Sequence, residues 1–432
     1  MNKTNETFVT GFALFAMFFG AGNLLLPPML GYNAGSDWPL IVFGFAITAV
    51  VIPLFGILAH ARLQGTMYDF AKKVSPIFST VYCVLVYLIS AGIPSPRTAA
   101  ATHEIAVAPN FQISSLVTSS VYFMLVFIFV MNRSKILSFI GKYLTPIIVV
   151  ILLMVIGIGL FSAEGSLQTG LAASPIATGL LEGYQTFDAI GAVVIGGVVI
   201  ISLNLKGHKS FEAKKYLISR AGFIAGLGLM IMYAGLVAVG AFFRSEVAIS
   251  ETLSSDLQRA QLLNYISGSA LGNIGSAFLN VLISLACFTT AVGIVTGTSD
   301  YFKGLFKDSQ RVYVITAILA CVAGVVVGQL DFYSILIIAI PALFLVYPVT
   351  IVLIFLNVLP QKWASVLVFR AVVIVAILFS IPDVLGFFWS EDLTIKAIKE
   401  VIPLANQHFG WVIPSILVFI FSNMLSLTIS NR

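Results

Sequence analysis

Residues 11–28 read Gly11-Phe12-Ala13-Leu14-Phe15-Ala16-Met17-Phe18-Phe19-Gly20-Ala21-Gly22-Asn23-Leu24-Leu25-Leu26-Pro27-Pro28. The run is apolar enough and long enough to cross a bilayer, which takes roughly 20 mainly apolar residues. Its centre is nevertheless built to fail as a helix. Gly20 and Gly22 weaken helical backbone, Asn23 puts an amide at about mid-depth, and Pro27-Pro28 remove two backbone donors. A helix interrupted there ends one half on free C=O groups and opens the other on free N–H groups. Each end carries about half an elementary charge, so the break can meet a cation on one side and a carboxylate on the other.

The rest of the chain repeats the apolar run, with one further interruption. Of 432 residues 59% are hydrophobic and 9% charged, against about 25% charged in a soluble domain. A soluble globule of this composition has no surface, so lipid is the solvent. Closed barrels need alternating polar and apolar residues, and runs such as Ile147 to Gly159 show none. The fold class is therefore all-α and polytopic. Twelve transmembrane helices are expected, the first six at about residues 7–33, 39–61, 77–100, 114–131, 140–161 and 174–203. The second six are expected at about 220–243, 272–303, 312–329, 333–357, 364–381 and 411–429.

Basic residues fix the orientation, because short loops rich in Lys and Arg stay in the cytoplasm. With the N-terminus inside, 18 of the 23 fall on the cytoplasmic side, leaving Arg97, Arg244, Arg259, Lys396 and Lys399 outside. An even number of spans places both termini in the cytoplasm. The formal charge of +5 follows from this bias and implies no nucleic-acid partner. The first apolar run lacks a small-residue cleavage site and reads as a retained helix, not a signal peptide. Cys83, Cys287 and Cys321 fall within spans and read as packing thiols.

One other run is interrupted in the same manner: Glu182-Gly183-Tyr184-Gln185-Thr186-Phe187-Asp188-Ala189-Ile190-Gly191, in the sixth span. Broken helices opening the first and second sets of five spans point to an inverted-repeat transporter with its site at the midplane. The whole chain is read as one transmembrane domain: repeat one at about 7–161, repeat two at about 174–357, and helices 11 and 12 at about 364–429. Asp188 is the one carboxylate deep in a span, where ionisable groups are usually functional. It reads as an N-cap on the second half of helix 6, as a carrier of a coupling proton, or as both. Glu182 and Arg97 read as vestibule residues near span ends, and the loops at about 244–271 and 391–401 as solvated caps. His60, His103, His208 and His408 sit at span edges or in loops without metal-ligand spacing. No phosphate-binding loop and no cluster of catalytic groups is present, which argues against an ATP-driven pump and against an intramembrane enzyme.

With these residues set out, the chain resembles the branched-chain amino acid:cation symporter family. Gly11 to Leu24 followed by Pro27-Pro28 is similar to that family's opening, and Gly183 to Ala189 resembles its sixth helix. The resemblance implies a leucine-transporter-type fold, a five-plus-five inverted repeat with broken helices 1 and 6 plus two C-terminal helices. It implies a symporter, not an enzyme, importing leucine, isoleucine and valine across a bacterial cytoplasmic (inner) membrane. The coupling ion would be sodium or, alternatively, a proton; no covalent cofactor and no obligate protein partner are implied. The fold's cation site would use carbonyls of Ala16, Phe19 and Ala286 with the hydroxyls of Thr289 and Thr290, which match its pattern of an alanine, two spacers and two hydroxyl residues. The competing reading of these threonines is that they bond back to their own helix at i−4. The substrate carboxylate would meet N–H groups at Gly20, Ala21, Gly22 and Asn23, its amine the carbonyls of Tyr184 and Gln185, with Thr186, Phe187 and Asp188 completing the site. A carrier of another small apolar solute, proton-coupled or uncoupled, is the main alternative.

Overall fold

The computed structural model describes residues 3–430 except 134, 164, 251–254, 331 and 391. Among the described residues every regular element is helical. The first apolar run forms two helices, α1 (Lys3–Phe18) and α2 (Ala21–Ala34), parted at Phe19 and Gly20. The second forms α3 (Trp38–Ala46) and α4 (Ile52–Leu63), joined through a π turn at Ile47–Val51. A short α5 (Met67–Ala71) precedes α6 (Pro76–Gly92) and α7 (Pro94–Ala101), which bend apart at Ile93. Then come α8 (Ser115–Met131), α9 (Ile136–Phe139) and α10 (Thr145–Ser162). The sixth run is again split, into α11 (Pro175–Tyr184) and α12 (Asp188–Leu205). The second half continues with α13 (Phe211–Phe242), α14 (Ser255–Leu271) and α15 (Gly275–Leu305). It closes with α16 (Gln310–Val327), α17 (Phe332–Val358), α18 (Val366–Phe388), α19 (Leu393–Val401) and α20 (Val412–Ser430).

Among the described residues nine helical stretches are long and apolar enough to cross a membrane, and α8 and α20 add two shorter apolar helices. Two helices outrun the expected spans. The seventh begins at Phe211, about nine residues early, because the Ser210 hydroxyl caps it by accepting the Ala213 N–H at 3.3 Å. The eleventh runs on to Phe388 past Pro382.

Lipid shapes the outside of the bundle. Leu116, Val117, Val121, Met124, Leu125 and Ile128 stand exposed on α8, a patch that in water would drive association. Inside, α12 is buried along most of its length between α4, α15 and α17. Across α2 and α13 the backbones approach so closely that only glycine fits. A Cβ on Gly31 would lie 1.8 Å from the Val237 carbonyl oxygen, and one on Gly240 would lie 1.9 Å from that of Pro28.

Of the first segment expected as a solvated cap, α14 is instead part of the packed body, and residues 251–254 lie outside those described. Leu262, Leu263 and Ile266 of α14 are buried, because their spacing makes one apolar stripe that α10 and α15 cover. The described part of the second cap, α19, fits the expectation better: none of its residues is buried.

Candidate functional site

At the first break, the Phe19 N–H still donates to Phe15 O (2.8 Å), but the Gly20 N–H turns to Phe18 O (2.8 Å). The Ala16 carbonyl thereby loses the donor that a continuous helix would supply at i+4. Gly20 is extended (φ −102°, ψ −165°), and α2 makes its first bond from Leu24 N–H to Gly20 O at 3.2 Å. The N–H groups that open α2 have no acceptor within the helix, as at any helix start. Asn23 folds its Oδ1 back toward the Gly20 N–H at 3.4 Å. Of Ala21 the backbone is described and the side chain is not.

The second break is tighter. Gln185, Thr186 and Phe187 donate to Glu182, Gly183 and Tyr184, three residues back. Phe187 sits in the left-handed region at φ 62°, a conformation that costs a non-glycine residue on the order of 1–3 kcal/mol. The Thr186 hydroxyl donates to Gly183 O (2.8 Å) and accepts the Asp188 N–H (3.3 Å), replacing helical bonds that the break removes. The helix resumes with Gly191 N–H on Phe187 O at 2.8 Å.

Asp188 is not the N-cap of α12. Phe187 holds that position, and Asp188, as the first helical residue, sends its carboxylate across the bundle. Its Oδ2 accepts from Asn23 Nδ2 (2.6 Å) and from the Tyr233 hydroxyl (3.3 Å), and Asn23 Nδ2 also donates to that hydroxyl. Three buried side chains thus tie both breaks to α13. Nothing in the seventh run marked Tyr233 as special, since its role comes from a partner 210 residues away.

The five expected cation ligands divide as follows. The Thr289 hydroxyl donates to the freed Ala16 carbonyl at 2.6 Å and lies 3.0 Å from Ala286 O. The Thr290 hydroxyl bonds back to Ala286 O at 3.2 Å, as an ordinary helix threonine does. Thr289 thus bridges from α15 to the first break, whereas Thr290 bonds within its own helix. Thr290 still faces the break, because a Cβ on Gly20 would lie 3.0 Å from its Oγ1. Phe19 is buried in the break itself. Every oxygen in this group is neutral.

Between the two breaks lies a cavity of about 40 Å³, lined by Gly20, Gly22, Asn23, Thr186, Phe187, Asp188 and Thr290 among others. That is room for water and not for an amino acid, so a larger solute requires the surrounding helices to part. Tyr184 does not face it; its ring packs on Tyr347 (4.3 Å between centroids) and on Phe409 (5.5 Å). Gln185 does not line it either; its carbonyl accepts from Arg97 Nη1 at 3.0 Å.

Arg97 overturns its expected vestibule position. The bend at Ile93 (φ −123°, ψ −74°) and the following Pro94 turn α7 inward, and Arg97 ends up 3% exposed on the cavity wall. Its signal in the sequence was a lone arginine after two prolines, on the basic-poor side of the charge count. His60 is likewise no edge residue: it is fully buried, with Nε2 2.7 Å from the Val193 carbonyl oxygen of α12.

Toward the face that carries the start of α1, a second cavity of about 360 Å³ is lined by Thr66, Tyr87, Gly197, Ile201, Asp300 and Tyr301 among others. Arg133 binds two of its lining residues, Asp300 and Val198. Nε and Nη2 grip Asp300 Oδ2 at 2.8 and 2.7 Å, Nη1 reaches Ser202 Oγ at 2.6 Å, and Nη2 reaches Val198 O at 3.0 Å. On the opposite face Arg259 of α14 lies 3.8 Å from Glu182 of α11.

Solved structures share this architecture. A Na+-coupled sialic acid symporter aligns with a TM-score of 0.64 at 14% identity, covering 97% of this chain and 89% of that one. MhsT in complex with L-phenylalanine aligns with a TM-score of 0.57 at 15% identity, covering 96% and 98%. At such identities the likeness establishes the leucine-transporter fold alone. Sequence relatives are closer. The branched-chain amino acid permease BraB of Bacillus subtilis is 32% identical over 438 residues, covering 98% of this chain and 96% of its own. The branched-chain amino acid transport system 2 carrier protein of Pseudomonas aeruginosa is 32% identical over 425 residues, covering 95% and 94%. The family described as branched-chain amino acid transport protein matches residues 3–428, and this chain, a multi-pass membrane transporter and not an enzyme, belongs to it.

Proposed function

We propose that this protein imports leucine, isoleucine and valine together with sodium, across a bacterial cytoplasmic membrane, by alternating access. The observation that carries the coupling is the Thr289 hydroxyl on the freed carbonyl of Ala16, which joins the first break to α15 through neutral oxygens only. Ala16, Phe19, Ala286, Thr289 and Thr290 form the ion site in this reading. Neutral carbonyls at helix ends are the usual coupling-ion ligands of such folds, and they suit a small hard monovalent cation. Bound sodium bridges α1 and α15, favours the outward-open state and so raises substrate affinity by differential binding. The substrate carboxylate lies at the N–H groups opening α2, and the apolar side chain in the cavity between the breaks. One methylene changes binding in an apolar pocket by only about 1–3 kcal/mol, so all three branched side chains are accepted. The relatives named for branched-chain amino acid transport support this choice of substrate. The first repeat comprises about residues 7–161 and the second about 174–357, and both termini are cytoplasmic, in accord with the distribution of basic residues.

A second reading, proton coupling, is favoured by one observation: Asp188 is buried between the breaks on Asn23 and Tyr233. Radiolabelled leucine uptake into proteoliposomes separates the two. Uptake driven by an inward sodium gradient, blocked by isoleucine and valine and untouched by lysine, supports the main reading. Uptake driven by protons alone transfers coupling to Asp188, and no leucine uptake under either gradient overturns the proposed substrate.

A further inference from the structure

We propose that Arg97 anchors the substrate's α-carboxylate, so that the site selects amino acids by a charged side chain of the third membrane run as well as by the N–H groups opening α2. The proposal rests on the amino-acid carrier reading above and gives it a recognition element that reading lacks.

A guanidinium is charged at every physiological pH, and at membrane depth such a charge is kept where it has a function or a partner. Arg97 is buried on the wall of the cavity between the two breaks. One of its five N–H donors goes to Gln185 O, at the end of α11, which helps to fix the orientation of the fork. The same Nη1 lies at the start of α2: a Cβ built on Gly22 would be 3.7 Å from it. The positive end of α2 and the guanidinium therefore sit at one end of the cavity and add their fields where an anion would dock. Among the lining residues Arg97 is the one cation and Asp188 the one carboxylate, a pairing that matches a zwitterion. A planar fork next to free N–H groups suits a carboxylate in particular, since arginine and carboxylate share bidentate geometry.

Two other duties for Arg97 make different predictions. It could merely position the Gln185 carbonyl, or it could serve the clasp of Glu182 and Arg259 one turn along α11. Ligand-induced thermal shifts of the purified full-length protein, at saturating sodium, with leucine and with leucinamide, distinguish these. Leucinamide keeps the amine and side chain and lacks the carboxylate charge. The wild type is expected to prefer leucine strongly. Arg97→Gln is expected to weaken leucine on the order of 100-fold, the size of a lost charge-assisted hydrogen bond, while leucinamide changes less than about threefold. Glu182→Gln is expected to keep the wild-type preference. Should Arg97→Gln not fold, which its unliganded melting temperature reports, Arg97→Lys carries the test: charge without the fork, and a selective loss of about tenfold for leucine. Equal losses for leucine and leucinamide would overturn the proposal in favour of a positioning role. A collapsed preference in Glu182→Gln would overturn it in favour of the clasp. A wild type that binds neither compound overturns the amino-acid reading and this proposal with it, whereas leucine binding that Arg97→Gln leaves intact overturns only this proposal.

Discussion

Thr289 and Thr290 are neighbours with different partners, and that difference is measurable. Removing the Thr289 hydroxyl leaves the Ala16 carbonyl without its donor and the proposed ion site without one ligand. In Thr289→Ala the sodium concentration for half-maximal leucine uptake is expected to rise tenfold or more, about 1.4 kcal/mol. Thr290→Ala, whose hydroxyl bonds within its own helix, is expected to show a smaller rise in the same titration. Equal sodium dependence in wild type and Thr289→Ala would remove this threonine from the site. At Asn23 the stake is structural as well. Asn23→Leu deprives the buried Asp188 carboxylate of its 2.6 Å donor, and a buried polar group left unsatisfied costs about 1–3 kcal/mol. The variant is expected to melt earlier in detergent and to lose leucine uptake; an unchanged melting temperature would contradict the role given to this bond. Gly20, Gly22, Asn23 and Asp188 were legible in the sequence because polar and flexible residues stand out in an apolar run. Tyr233 and the inward turn of Arg97 were not, since a tyrosine in a span is unexceptional and a bend at Ile93 has no local spelling beyond Pro94.

At the scale of the helices, the two breaks were readable and the π turns were not. Ile47–Val51 is as apolar as the α-helices around it, and Ile140–Leu144, with Gly141 and Lys142, reads as the ordinary polar start of a span, so composition marks neither wider turn. The contact between α2 and α13 depends on glycines whose neighbours are backbone atoms, which cannot move aside as a side chain can. Gly31→Ala is expected to cost at least the 1–3 kcal/mol typical of overpacking, read as a lower melting temperature of the purified protein. A melting temperature at the wild-type value would mean that the helices part at no cost. Outside the membrane, the Asp392 carboxylate caps α19, accepting the Ile395 and Thr394 N–H groups at 3.1 and 2.8 Å. Those bonds, Ile395 first, hold its carboxyl below the ordinary range near pH 4. A depressed folded value means that the cap is complete above the unfolded value and is lost as pH falls through the folded one. Amide exchange in α19, corrected for intrinsic rates, is therefore expected to be flat from neutral pH down to about 4 and to accelerate below it. Asp392→Asn is expected to abolish that acid step.

For the whole molecule, the grip of Arg133 on Asp300, Ser202 and Val198 acts as a latch holding the loop after α8 against α12 and α15. Asp300→Asn is expected to loosen it and to shift the population toward a state open on that face. A cysteine in place of Ile201, which lines the cavity there, should then react faster with a membrane-impermeant maleimide in inside-out vesicles. The native cysteines are all buried and add little background. Architecture at this scale was largely legible: apolar runs, basic loops and two interruptions determine a helical transporter before any contact is known. The packing of α14 was not, because its apolar stripe is short and flanked by polar residues. The claim that joins these scales is that sodium at the first break and substrate between the breaks bind as one linked equilibrium. Leucine affinity of the purified protein, measured while sodium is raised from zero to saturation at constant ionic strength, tests it most directly. The account predicts a leucine Kd that falls as sodium rises in the wild type and stays nearly flat in Thr289→Ala; a wild-type Kd independent of sodium would contradict it.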